Sequence, residues 1–429
     1  MAYALINGVI LDGTEHMEPV TGKAVLIDGE TITDIVPSDT VKDGYEIIDL
    51  SGAYLLPGLI NLHVHIAISG EPPKRDKKQP NYKLIYWILS HSRLLRSYMK
   101  KQSAEYAKME LLSGVTTMRT VAGLMDFDGQ VRDAINEGKA VGPRILSANT
   151  GISVPGGHFA GSIATEAATP EEAREHVHQI AATNPDLIKL MVTGGIMDSS
   201  EEGEPGVLRM KPEIIRAACE EAHKLGYKVA AHVESPEGVR AALENGVDTI
   251  EHGAKLNDDL IRLFQETGAA HICTISPAVP YAEFELSESH ALPVAKKNGK
   301  IVMDGIIECA KACREHGIPV GLGNDVGCPF ILHYNFWREL CYFHKYVGAS
   351  EQETLYRATL GNAGIIGLDD ITGSIAAGKC ADLIAVTQNP LEDLSALRDV
   401  SMVITRGILY KDPQVKHSPD VDDLLDRYM

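Results

Sequence analysis

The sequence predicts an α/β protein: a (β/α)8 TIM-type barrel with a small β-sandwich domain built from both chain ends. Short apolar runs alternate with longer helical segments through the middle of the chain, the rhythm of repeated βα units. Both ends lack that rhythm and alternate apolar with polar residues between tight turns. At 429 residues, 44% hydrophobic and 23% charged, the chain can build one large barrel plus a smaller unit.

Residues 1–56 carry the turn pairs Asn7-Gly8, Asp12-Gly13 and Asp28-Gly29, as expected of short antiparallel strands. The same pattern returns within 372–412, in Ala381–Val386 and Val400–Tyr410, so the two ends are expected to pair. Residues 57–371 form the barrel, and the acidic, weakly patterned 413–429 form a tail, either a docked arm or a loose end. Eight β-rich runs mark the barrel strands: Leu59–Leu62, Val115–Met118, Arg144–Ala148, Leu187–Val192, Lys228–Ala231, Thr249–Ile250, Ala270–Cys273 and Pro319–Leu322. Segments with apolar residues at threes and fours follow most of them, as in Pro212–Leu225 and Asp258–Glu266. Chemistry in such a barrel sits at the carboxyl ends of the strands.

A formal charge of −19 with no basic stripe argues against nucleic acid and anionic lipid as partners. No apolar run is long enough to span a bilayer, and the opening Met1–Gly8 has no secretory pattern. Seven scattered cysteines, an odd number, do not read as a disulfide framework. The expectation is a cytoplasmic homo-oligomer acting on a small molecule. The one basic stretch, Lys74-Arg75-Asp76-Lys77-Lys78, reads as a solvated loop or as a flap at the barrel mouth.

The first run ends in His63-Val64-His65, and strand alternation aims both imidazoles to one side. Alone, the pair reads equally as a metal chelate or as a hydrogen-bonded core pair. His232 ends the fifth run, His252 the sixth, and Gly323-Asn324-Asp325 the eighth, where glycine lets the backbone turn and present a carboxylate. Four histidines and an aspartate at one end of a barrel read as a metal site. Lys189 stands inside the apolar fourth run. A buried lysine is either ion-paired or neutral, and a neutral amine can add carbon dioxide to form a metal-bridging carbamate.

These features resemble the amidohydrolase superfamily. The likeness rests on the entry Leu56-Pro57-Gly58-Leu59-Ile60-Asn61-Leu62-His63, the exit Thr372-Gly373-Ser374-Ile375-Ala376-Ala377-Gly378-Lys379-Cys380-Ala381-Asp382-Leu383 and the strand-end ligands. Within it, Ile188–Gly195 and Pro155-Gly156-Gly157-His158 are similar to a subgroup of Xaa-Pro dipeptidases, related carboxypeptidases and ochratoxin-type amidases. The resemblance implies two divalent metals, expected to be zinc, with carbon dioxide carried as a carbamate on Lys189. It assigns His63, His65, Lys189 and Asp325 to the more buried metal, and Lys189, His232 and His252 to the more exposed one. A bridging hydroxide would attack an amide carbon in a dipeptide or N-acyl amino acid. Asp325 would shuttle the proton, and His158, expected to end the third strand, would bind the substrate carbonyl.

Two positions depart from the pattern. Glu234 stands where relatives carry a tyrosine, and reads either as a contact for a cationic substrate group or as the partner of a nearby lysine or arginine. Thr120 follows Arg119 where relatives often have Asp, so an internal ion pair is expected to be missing. The aromatic stretch Cys328–Leu340 lines a pocket or joins the core. Two rival readings use the same fold: a cyclic-amide hydrolase or deaminase of the imidazolonepropionase kind, and a scaffold barrel that has lost its metals. The first lacks the bridging lysine and has His-x-x-Glu after the fifth strand, unlike His232-Val233-Glu234; the second requires missing ligands, and all are present.

Overall fold

The computed structural model describes residues 2–72, 88–89, 91–198 and 201–429. The basic stretch at 74–78 lies outside the described residues.

Strands Leu59–Val64, Val115–Thr120 and Arg144–Ser147 pair in parallel as one sheet. Leu187–Met191, Lys228–Val233, Thr249–His252, Ala270–Cys273 and Val320–Leu322 pair in parallel as another. Backbone bonds join the two into a TIM-type barrel: Asp186 N–H donates to Ser147 O at 2.7 Å on one seam, and Asp325 N–H to His63 O and His65 N–H to Val326 O at 3.0 Å on the other. Leu59–Val64, Val115–Thr120 and Leu187–Met191 are buried at every position, as strands with helices outside and a packed barrel inside must be.

The third strand is interrupted. Arg144–Ser147 pairs with the second strand, whereas Gly151–Ser153 pairs with the fourth through Ile152 beside Leu190. Asn149 takes a left-handed φ of 54° between them, a conformation asparagine tolerates, and its side chain accepts from Gly129 N–H and donates to Thr183 Oγ, both at 2.9 Å.

The outer helices follow ordinary capping chemistry. Pro212–Lys224 opens on proline and buries Ile214, Ile215, Ala218 and Ala222, an apolar stripe at threes and fours. Asp258–Thr267 starts where the Asn257 side chain accepts from Leu260 N–H at 3.0 Å, and stops at Gly268 with φ 70°.

The chain ends form two further sheets. Ala2–Ile6, Lys23–Asp28, Thr31–Pro37 and Glu46–Asp49 make one. Val9–Ile10, Tyr54–Pro57, Leu383–Val386, Val400–Thr405 and Ile408–Lys411 make the other, with Leu383 opposite Pro57 and Val386 opposite Tyr54. Leu5, Val25 and Ile27 of the first sheet share one apolar cluster with Leu55, Leu383 and Ile404 of the second.

The tail is docked. Residues Pro419–Asp426 form a helix whose Asp422 and Asp426 pair with the buried Arg338, Asp422 at 3.0 Å. The aromatic stretch before it is core: Phe330, Tyr334, Phe336 and Trp337 are all buried. All seven cysteines are free thiols, and among the described residues no helix is long and apolar enough to cross a membrane.

Candidate active site

Five imidazoles stand in a chain at the carboxyl end of the barrel. The ring centres of His65 and His63 are 5.3 Å apart, those of His63 and His252 4.8 Å, of His252 and His232 4.6 Å, and of His232 and His158 4.1 Å. Asp325 closes the group, with Oδ1 at 3.1 Å from His65 Nε2 and 3.4 Å from His63 Nε2. His63, His252 and Asp325 each offer a ligand atom within 4.8 Å of the others, close enough to share one metal ion.

Each strand-end ring is anchored through one nitrogen, which fixes what the other can do. His65 Nδ1–H donates to Ala122 O at 2.8 Å, and His63 Nδ1–H to Glu251 Oε2 at 2.7 Å, which turns both Nε2 atoms toward Asp325 and, in a neutral ring, leaves their lone pairs for a metal. His252 Nδ1 bonds Thr274 Oγ at 2.7 Å, and His232 Nε2 lies 3.3 Å from Gly194 O. Burial pushes His63 down to about 4 despite the opposing charge of Asp325, and holds His232 and His252 well below the usual histidine range. Burial alone would raise Asp325, but His63 and His65 outweigh it and keep the carboxylate ionised.

Lys189 is 1% exposed, and its Nζ has no hydrogen-bond partner. Burial lowers its ammonium to about 8, against the attraction of Glu251 and Asp325.

The backbone is bent to deliver two of these groups. His252 and Asp325 take left-handed φ values of 66° and 51°, each costing roughly 1–3 kcal/mol for a residue with a Cβ. Gly323 makes the second possible, because a Cβ there would lie 2.6 Å from His63 Cβ.

His158 does not end a barrel strand. It sits in the loop beyond Gly151–Ser153, because the third strand breaks at Asn149 and the chain runs on before reaching the mouth. Its ring stacks on His232, and its Nδ1 lies 2.5 Å from Asp198 Oδ2, which also accepts from Gly195 N–H at 2.8 Å. Gly195 must be small, since a Cβ would come within 2.9 Å of His158 Cε1.

Glu234 directly follows the fifth strand; its carboxyl takes a backbone hydrogen bond from Ile196 while Oε2 is enclosed and unbonded, and among the described residues no lysine or arginine pairs with it. Burial, with Asp325 and Asp198 nearby, holds its carboxyl well above the usual range. The expected loss of an internal ion pair is corrected: Arg119 Nη2 grips both oxygens of Glu251, at 2.7 and 2.8 Å, while its Nε donates to Leu62 O at 2.8 Å. Glu251, Thr274 and Asp198 are site residues that sequence reasoning missed. Glu251 alone left a trace, as an acid directly before the strand-end His252.

The sequence profile described as "Amidohydrolase family" matches residues 54–409, and that of the NagA composite domain matches residues 2–55. A prolidase candidate of known structure from Bifidobacterium longum is 34% identical, aligns over 99% of this chain and 98% of its own, and superposes with a TM-score of 0.87. A Xaa-Pro dipeptidase crystallised with methionine in its active site is 29% identical over 96% of this chain and 100% of its own, with a TM-score of 0.83. The ochratoxinase of Aspergillus niger is 27% identical over 71% of this chain and 67% of that protein. With these matches spanning the barrel and its cluster of histidines, the chain belongs to the amidohydrolase family and is a metal-dependent amidohydrolase.

Proposed function

We propose that the protein hydrolyses the amide bond of a dipeptide or N-acyl amino acid at a site holding two divalent metals, with zinc as the resident ion. The observation that carries this reading is Lys189: a fully buried amine with no hydrogen-bond partner, within charge range of His63, His232, His252 and Asp325. An amine depressed toward neutrality can take up carbon dioxide, and the resulting carbamate offers two oxygens where the structure has one orphaned nitrogen. The remaining donors fit as well, since anchored neutral imidazoles and an ionised carboxylate are the set zinc takes.

In this reading His63, His65, Lys189 and Asp325 hold one ion, and Lys189, His232 and His252 the other. When bound, the pair would supply an activated water and polarise the substrate carbonyl. Asp325 takes the proton of the attacking water and delivers it to the leaving nitrogen, which must be protonated before the C–N bond breaks. His158, held by Asp198 through Nδ1, donates from Nε2 to the developing oxyanion when its ring carries both protons. Glu234 faces the substrate: its enclosed Oε2, left without a protein partner, is completed by an amine or guanidinium. The chain divides into a β-sandwich of residues 1–56 and 372–412, a barrel of 57–371 and a tail of 413–429. Free thiols throughout suit a reducing cytoplasm, where we place a homo-oligomer.

The test is a screen of zinc-reconstituted protein against dipeptides, N-acyl amino acids and cyclic amides. Turnover confined to the first two classes supports the reading, and turnover confined to cyclic amides overturns it.

A further inference from the structure

Behind His252, on the outer face of the barrel wall, lies a second group of metal-binding side chains. Ala270–Cys273 alternates: Ile272 packs inside the barrel with Ile60 and Leu62, which sends His271 and Cys273 outward toward helix Pro293–Glu315. That helix presents Cys309 and Cys313, one turn apart on a single face. His271, Cys309 and Cys313 are all completely buried, and their ligand atoms lie within 4.8 Å of one another.

The imidazole is set up as a donor to something absent from the protein's own hydrogen bonds. His271 Nε2 lies 2.7 Å from His252 O. A carbonyl only accepts, so Nε2 carries the proton and Nδ1 keeps its lone pair. That Nδ1 is buried with no hydrogen-bond partner outside the neighbouring thiols. A ring fixed through one nitrogen to a backbone carbonyl, with the other bare, is how metal-ligating histidines are oriented. Gly253 allows the close approach: at φ 83° it has no Cβ, and one would fall 2.7 Å from Cys309 Sγ and 2.9 Å from His271 Nε2.

We propose that His271 Nδ1 and the thiolates of Cys309 and Cys313 form a further, buried site for a thiophilic cation, zinc(II) being the probe, separate from the mouth of the barrel. Cys273, on the same strand face and within charge range of both thiols, is the available fourth sulfur. Two sulfurs and an imidazole in a dry pocket select zinc over hard cations such as magnesium or calcium. Burial opposes ionisation of Cys309, yet the hydrogen bond from Cys313 helps to hold its thiol below the usual range. Through His271 the ion would steady the carbonyl of His252, whose left-handed backbone aims its ring at the mouth.

A sulfur-to-metal signal separates this site from the mouth, whose ligands are nitrogen and oxygen. In the full chain produced with cobalt(II) in place of zinc, a near-ultraviolet sulfur-to-cobalt charge-transfer band is expected. It should vanish in Cys309→Ser and Cys313→Ser, and persist in Cys328→Ser, which removes the thiol beside Asp325, and in Lys189→Ala. Absence of the band in the wild-type protein, or its survival when Cys309 and Cys313 are both replaced, overturns the proposal. Should the serine variants not fold, zinc X-ray absorption of the wild-type chain decides. A sulfur shell at about 2.3 Å supports the site, and only nitrogen and oxygen at about 2.0–2.2 Å refutes it.

Discussion

His63 and Glu251 meet across 2.7 Å, although 188 residues separate them in the chain, and the same carboxylate is held through both oxygens by Arg119. Burial would raise Glu251, but Arg119 and His63 hold it far below the usual carboxylate range. The permanently ionised acid dictates which nitrogen of His63 carries the proton, and therefore which one faces Asp325.

Glu251→Gln keeps the size and loses the charge. A glutamine oxygen at the Oε2 position can still accept from both His63 and Arg119, but the amide NH2 then faces the guanidinium where Oε1 had accepted, and the counter-charge is gone. We expect metal affinity to fall by about 10–100-fold, read by competition with a chelator. Loss of Arg119's buried partner should cost about 3–5 kcal/mol, read from the denaturant midpoint. Unchanged metal affinity in a folded variant would remove Glu251 from the site.

Glu234→Gln tests the substrate contact. If the carboxylate receives a cationic group, kcat/KM should fall for substrates with a free amine or guanidinium and stay within about two-fold for neutral ones. Leaving a charged partner without its counter-charge corresponds to roughly 1.5–3 kcal/mol, about 10- to 150-fold. An equal loss across all substrates would assign Glu234 a structural role.

The strand-end residues were legible because the information is local. His63 and His65 sit two apart, Lys189 interrupts an apolar run, and each of His232, His252 and Asp325 follows a short strand. Their anchors were not, because Glu251, Thr274 and Ala122 meet the histidines only after the barrel closes. The third strand was read as one run to Ala148, since nothing in Ser147-Ala148-Asn149 announces that the following turn re-pairs the chain with the fourth strand. The opposite case is Leu383–Val386 beside Tyr54–Pro57, where strand patterns at both ends made the long-range pairing readable.

Arg338 ties the tail to the barrel while only 1% exposed. Arg338→Ala would leave Asp422 buried without its cation, so a loss of about 3–5 kcal/mol is expected in the denaturation midpoint, together with proteolysis confined to 413–429. A stable, protease-resistant variant would show that apolar packing alone docks the helix.

Glu353 lies between Arg314 at 2.5 Å and Arg357 at 2.7 Å. Burial would raise its carboxyl, but the two guanidinium groups outweigh that and hold it below its usual 4.5. A depressed acid stabilises the fold above its unfolded value and loses that contribution as pH falls through the folded one. The stability gap between wild type and Glu353→Gln should therefore be constant near neutrality and close as pH drops below about 4.5. A gap independent of pH would contradict the assignment.

Elemental analysis of purified Lys189→Ala decides whether Lys189 joins two metals. We expect the wild-type chain to carry two metals at the barrel mouth, counted beyond any ion held by His271, Cys309 and Cys313, and the variant to lose at least one of the two along with its amidase activity, while remaining folded. A Lys189→Ala protein that retained both would show that the lysine bridges nothing.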